Sequence, residues 1–210
     1  MALFSDDATS SNNTFSSGTL DLKLSNNGTS FSQNVSKTFG ADNLAPGDDI
    51  PLDKLTIKND GTIDGSYIDM KFTLRSGDEN KDLAEHIVLE DPTTNENGIR
   101  FGGDDGDSTN GSESDDLFTS TGGDYDVFHL DGSTELTYTL SDLSGGDGVV
   151  SLLDLHNFGT FRIYAGTPSG QDYGLKAGSI AMLWLDMLVE EALTEQGETV
   201  KMDIEFTIHQ

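Results

Sequence analysis

VKMDIEFTIHQ, Val200 to Gln210, is the stretch whose reading decides the fold. Val200, Met202, Ile204, Phe206 and Ile208 alternate with Lys201, Asp203, Glu205 and Thr207. Successive side chains of an extended chain point to opposite faces, so this pattern predicts a strand with one buried and one wet face. A helix would space its apolar residues three and four apart. The same period of two recurs in Leu20, Leu22 and Leu24, in Ile68, Met70, Phe72 and Leu74, and in Leu136, Tyr138 and Leu140. Phe161 and Ile163 form a short version, and Phe31, Val35 and Phe39 share parity across a polar segment. Leu55 and Ile57 lead into Asn59-Asp60-Gly61, a turn signal. Ile180 to Val189 is an apolar run broken only by Asp186, readable as a strand buried on both faces or as a short helix. Trp184 inside it is the expected central packing residue. Leu83 to Leu89 and Val149 to Asn157 are the two candidates for short loop helices. Clusters of glycine, asparagine and aspartate separate the runs at a spacing that suits antiparallel sheets packed as an all-β sandwich. The aromatic residues sit mostly at alternating positions and read as core, not as a carbohydrate-binding stack.

The chain has 210 residues, with 11 Lys+Arg against 38 Asp+Glu and a net charge of -27. Phosphate recognition needs a basic face, so no nucleic acid partner is expected, and anionic membrane surfaces are disfavoured. A charge this large repels itself unless salt screens it. The Debye length is ~8 Å at physiological ionic strength and ~3 Å at 1 M, so the composition points to a halophile. A merely acidic secreted protein is the alternative. There are no cysteines, which excludes disulfides and thiol chemistry. No apolar run approaches the ~18 residues of a membrane span, and no secretory leader stands at the start, as expected of a processed chain. N-x-S/T acceptor patterns occur at Asn12, Asn27, Asn34 and Asn110. They are glycosylation candidates outside the cytosol, in a chain rich enough in Asn, Ser and Thr to produce some by chance. Residues 102–116, GGDDGDSTNGSESDD, form an acidic stretch that cannot bury apolar surface and is expected to be an exposed, mobile loop.

Chemistry-bearing patterns are sparse. The four histidines, His86, His129, His156 and His209, form no H-E-x-x-H pair; Glu85-His86 is followed by Ile87-Val88. There is no G-x-S-x-G elbow, and the glycine pairs at 102–103 and 145–146 lie in acidic surroundings that repel phosphate. Calcium is the cation that the oxygen-rich loops would take. Asp147, Gly148 and Asp154 fill positions five, six and twelve of an EF-hand-like loop, but positions one and three are Leu143 and Gly145, which bring no side-chain ligand. The Asp104, Asp105 and Asp107 cluster has carboxylates without a defined spacing, as a solvated acidic loop also would. No catalytic residue, metal ligand or required cofactor is assigned.

Five short motifs in series carry a resemblance. They are Phe4-Ser5-Asp6, the run from Thr14 to Leu22 (TFSSGTLDL), Leu44-Ala45-Pro46-Gly47-Asp48, Asn59-Asp60-Gly61, and Gln196-Gly197-Glu198-Thr199 before the last strand. In this order and spacing they resemble the TasA/camelysin family of secreted matrix proteins, which includes biofilm-matrix fibres and is similar to archaeal bundling-pilus subunits. The middle of the chain, from about Asp78 to Tyr173, carries no part of the resemblance. It implies a jelly-roll β-sandwich and export to the cell surface or matrix. It also implies a head-to-tail homopolymer in which the leading segment of one subunit inserts as a strand into the next. Here that segment is residues 1–13, with Ala2, Leu3, Phe4, Ser5, Asp6, Asp7 and Ala8 as the donor strand and residues 14–210 as one sandwich domain. Leu3 and Phe4 are its large apolar anchors; an ordinary disordered terminus is the plainer alternative. The expected role is a non-enzymatic filament subunit with lateral contacts between filaments. A camelysin-like metalloprotease and a monomeric adhesin or carbohydrate-binding module remain the other readings.

Overall fold

A computed structural model describes residues 18–35, 45–76, 80–89, 99–103, 118–121, 124–130, 135–138, 149–164, 176–193 and 199–210. In chain order the elements are β1 (Leu22–Ser25), β2 (Asp49–Asn59), β3 (Tyr67–Leu74), α1 (Lys81–Glu85), β4 (Ile87–Val88) and β5 (Ile99–Gly103). They continue with β6 (Phe118–Thr121), β7 (Asp124–Leu130), β8 (Glu135–Tyr138), α2 (Leu152–Phe158), β9 (Thr160–Tyr164), β10 (Ile180–Val189) and β11 (Met202–His209). All strand pairs are antiparallel.

One sheet runs β1-β2-β10, and β4 and β5 share the far side of β10 end to end. The second runs β11-β3-β9, and a third is the meander β6-β7-β8. A single apolar cluster joins the first two sheets: Ile57, Ala181, Leu183 and Leu185 from one, Ile68, Met70, Phe72 and Phe161 from the other. This is the all-β sandwich that the period-two pattern requires. The alternation in β3 is realised residue by residue, since Ile68, Met70, Phe72 and Leu74 are buried. Phe72 and Phe161 meet edge to face, with ring centroids 6.0 Å apart, a geometry favoured by the aromatic quadrupole.

β10 settles the ambiguous apolar run as a strand. Its core face is Ala181, Leu183, Leu185, Met187 and Val189. Trp184 therefore falls on the other face and is only half-buried, opposite Lys54 and Arg100 in the register. Strand parity overrides side-chain size here, and Phe72 and Phe161 hold the centre instead. Between Leu185↔Asp53 and Met187↔Ile50 the pairing slips by one residue on β2. That bulge lies at Pro51, which has no N–H to give a ladder. It changes the parity of β2, so that Ile50 and Ile57 both reach the core.

Three further local expectations are corrected. The helix expected at Leu83–Leu89 begins earlier. Asn80 caps it, its Oδ1 accepting from the Leu83 N–H at 3.0 Å. Ile87 and Val88 then leave the helix and pair with β10. The Asn59-Asp60-Gly61 turn closes no hairpin, because β2 and β3 belong to different sheets and the chain crosses between them there. Phe31 and Val35 lie in no strand, and only Ser32 makes an isolated bridge, to Leu24. The second helix, α2, forms where expected.

Candidate functional site: the β1–β11 edge

The two sheets come together at one side where β1 and β11 are the outermost strands. Arg75 N–H donates to Lys201 O at 2.8 Å, which fixes the ladder phase of β11. Antiparallel strands direct alternate backbone groups to opposite sides. The N–H and C=O groups of Met202, Ile204, Phe206 and Ile208 therefore face outward, and no described strand pairs with them. On the other flank Asp60 N–H donates to Asp21 O at 2.6 Å, so Leu22 and Leu24 present their backbone groups away from β2. Between these flanks lies a groove of 280 Å³ lined by Leu20, Asp21, Leu22, Leu24, Gln33, Phe206, Thr207 and Ile208. Its apolar side chains are only half-buried: Leu22, Leu24, Phe206 and Ile208 pack against the core but remain partly open. Two strand edges, unpaired with each other, thus flank a groove of mixed polar and apolar lining.

Two of the motifs that carried the resemblance build this site, and a third forms a turn at the far end of β2. Asn59 is fully buried; its Oδ1 accepts from Gly61 N–H at 3.0 Å and its Nδ2 donates to Ile63 O at 3.0 Å. Gly61 is needed because a Cβ there would stand 2.2 Å from Thr19 O. Thr62 N–H donates to that same Thr19 oxygen at 2.8 Å. The N-x-G loop therefore clamps the backbone of the TFSSGTLDL motif and aims β1. Lys23 Nζ reinforces the clamp, 2.6 Å from Asp60 and 3.1 Å from Asp21, while Lys58 Nζ reaches Asp60 at 2.6 Å. Hydrogen bonds from Lys23 and then Lys58 hold the Asp60 carboxyl down at about 2, and the same contact with Asp60 raises the Lys23 ammonium. The third motif, Ala45-Pro46-Gly47-Asp48, closes a turn through Asp48 N–H to Ala45 O at 3.0 Å, with Gly47 at φ +83. Pro at its second position and a positive-φ glycine at its third are what a type II turn needs.

The outer face of the β11-β3-β9 sheet is laced with ion pairs. Arg162 grips Asp69 at 2.7 and 2.8 Å and lies over the Tyr67 ring. Tyr67 stacks on His209, whose Nε2 is 3.1 Å from Asp69 without hydrogen-bond alignment. Arg162 holds the Asp69 carboxyl below its ordinary range, and Arg75 does the same for Asp203.

Sequence-predicted residues are distributed as follows. Ala2, Leu3, Phe4, Ser5, Asp6, Asp7 and Ala8 lie outside the described residues, as do Asn12, Asn110 and residues 104–116. Asn27 and Asn34 are exposed. Asn27 Oδ1 accepts from Ser25 Oγ, Thr29 N, Thr29 Oγ1 and Ser30 N at 2.9–3.0 Å, so the turn engages the oxygen of its amide and not the nitrogen that a glycan would take. Asp154, the twelfth position of the calcium-like loop, instead completes the capping box of α2, whose N-cap is Ser151. Its Oδ2 accepts from Ser151 N–H at 2.8 Å and from Ser151 Oγ at 2.7 Å. Asp147 and Gly148 lie outside the described residues. His86 Nδ1 meets Glu190 at 2.9 Å, His156 Nδ1 accepts from Leu74 N–H at 3.2 Å, and His209 belongs to the Tyr67 stack. These three sit in separate places. Among the described residues no group of three or more His, Cys, Asp or Glu side chains converges on a point where a metal could sit. The groove residues themselves escaped sequence reasoning. Their alternation was visible in Leu20–Leu24 and Phe206–Ile208, but nothing in one strand's pattern says which edge stays open.

No helix among the described residues is long and apolar enough to cross a membrane. No curated protein matches the chain. Residues 1–97 match the model of the family described as Camelysin metallo-endopeptidase. That span takes in four of the five motifs, two of which position β1. The chain is thus similar to the camelysin family across its first 97 residues, and the resemblance drawn from its motifs holds there.

Proposed function

We propose that the protein is a structural subunit of an extracellular filament, a bundling pilus or matrix fibre, that polymerises by donating residues 1–13 to the next copy. The observation that carries this reading is the β1–β11 edge, where the outward backbone groups of β11 have no described strand partner and Leu22, Phe206 and Ile208 stay partly open beside them. Each ladder hydrogen bond adds ~0.5–1.5 kcal/mol net. Burying Leu3 and Phe4 of the donor adds ~1.5–3 kcal/mol apiece. Ordering the tail opposes these gains, at ~1–2 kcal/mol per residue for the backbone. Closing over the half-exposed Leu22, Phe206 and Ile208 is the additional gain that favours this groove as the acceptor. Deleting Met1 to Asp7 should leave a folded monomer that shows no fibres in negative-stain images. Filaments from the truncated protein would refute the insertion.

One finding favours a second reading. The matching family is described as a metallo-endopeptidase, so casein cleavage that a chelator abolishes would support a peptidase. Our reading is non-enzymatic, since the described histidines serve a helix end, a strand end and an aromatic stack. We place the filament outside the cell and take Asn27 and Asn34 as the described positions open to glycosylation.

A further inference from the structure

We infer that residues 26–35 are a guard on the β1 edge, which an incoming strand must displace before it can use the whole groove. After β1 the chain does not proceed to a neighbouring strand but folds back on itself. Gly28 at φ +71 makes the bend, and Asn27 Oδ1 presets it by accepting from Ser25 Oγ, Thr29 N, Thr29 Oγ1 and Ser30 N. The returning limb is held by three contacts. Ser32 and Leu24 exchange backbone hydrogen bonds of 2.8 and 2.9 Å. Gln33 Nε2 donates to Asp21 Oδ1 at 2.7 Å, and Lys58 Nζ lies 5.5 Å from the centroid of the Phe31 ring.

These contacts fall on the groove. Leu24, Asp21 and Gln33 all line it. The Leu24 N–H and C=O that Ser32 occupies are the ones that a strand lying between β1 and β11 would need. The contact is a single isolated bridge between an edge strand and exposed residues, so it is short enough to open. It also explains how a free subunit with an apolar edge avoids pairing with the wrong neighbour: exposed edges are templates for association, and a covering loop blunts them. The guard's geometry stands independently of the filament reading, while its role in assembly rests on that reading.

The test compares full-length protein with Ser32→Pro, which removes the N–H that Leu24 O accepts, and with Ser32→Ala, which keeps it. Ser32→Pro should elongate about fivefold faster, the change expected when one ladder hydrogen bond no longer has to be broken. Ser32→Ala should keep the wild-type rate. Amide exchange at Leu24 in the free subunit should rise in Ser32→Pro and not in Ser32→Ala, showing that the limb has been released. Phe31→Ala with Gln33→Ala frees the same limb without a proline and should also elongate faster. Elongation at or below the wild-type rate in a released variant overturns the guard and leaves the filament reading intact. If the wild type forms no filaments at all, the filament reading fails and sedimentation of the free subunits decides the guard. More edge-to-edge dimer in the released variants then supports it, and no difference overturns it.

Discussion

Asn59 shows how much one residue carries here. Both ends of its buried amide are used within the 59–63 loop, and that loop fixes the backbone of Thr19 and Asp21. Asn59→Ala should destabilise the fold by about 1–3 kcal/mol in urea unfolding, because a buried network loses its hub. Gly61→Ala should act in the same direction by driving Thr19 aside. Acid sensitivity also belongs to single residues. Asp60, Asp69 and Asp203 all have carboxyl groups held below their ordinary range. Their pairing therefore stabilises the fold fully above the unfolded carboxylate range near ~4 and is lost as pH falls through the folded values, about 2 for Asp60. Thermal melts should drop between about pH 4 and pH 2, and Asp69→Asn should flatten part of that drop. The chemistry of Asn59-Asp60-Gly61 was legible as a turn. Its partner was not, since the contact with Thr19 lies 40 residues upstream of Asn59.

At the scale of elements, period-two alternation marked β1, β3, β8, β9 and β11, with β3 and β11 the clearest cases, and did not single out β4 to β7. It failed in β2, where the bulge at Pro51 shifts parity, and at Trp184, where size suggested a centre that parity denies. It also could not separate an inner strand from an edge. β3 and β11 have the same pattern, yet Phe72 is fully buried and Phe206 only partly so. Burial is decided by neighbours, and the neighbours are distant in sequence. Phe72→Ala should cost about 3–5 kcal/mol of monomer stability. Phe206→Ala should move the monomer melt much less but raise the concentration needed for assembly, as critical-concentration measurements would show. Gly47→Ala should cost about 1–2 kcal/mol, because its φ of +83 strains any side chain.

Over the whole molecule, the net charge of -27 opposes close approach between copies. Screening shortens that repulsion from ~8 Å at physiological ionic strength to ~3 Å at 1 M. Filament bundles should therefore thicken as NaCl or divalent cations are added, measured by light scattering; bundles that dissolve as NaCl approaches molar levels would contradict this. The direct test of the open sandwich uses the absence of native cysteine. Phe4→Cys in one preparation and Leu22→Cys in another are mixed under assembly conditions and oxidised. The predicted result is a disulfide-linked dimer joining one copy of each variant, seen as a new band on a non-reducing gel and, by mass spectrometry, as a peptide pair cross-linked between the two substituted positions. No mixed dimer, together with an internal disulfide between those positions when both changes are placed in one chain that stays monomeric, would show that the leading segment fills its own subunit's groove.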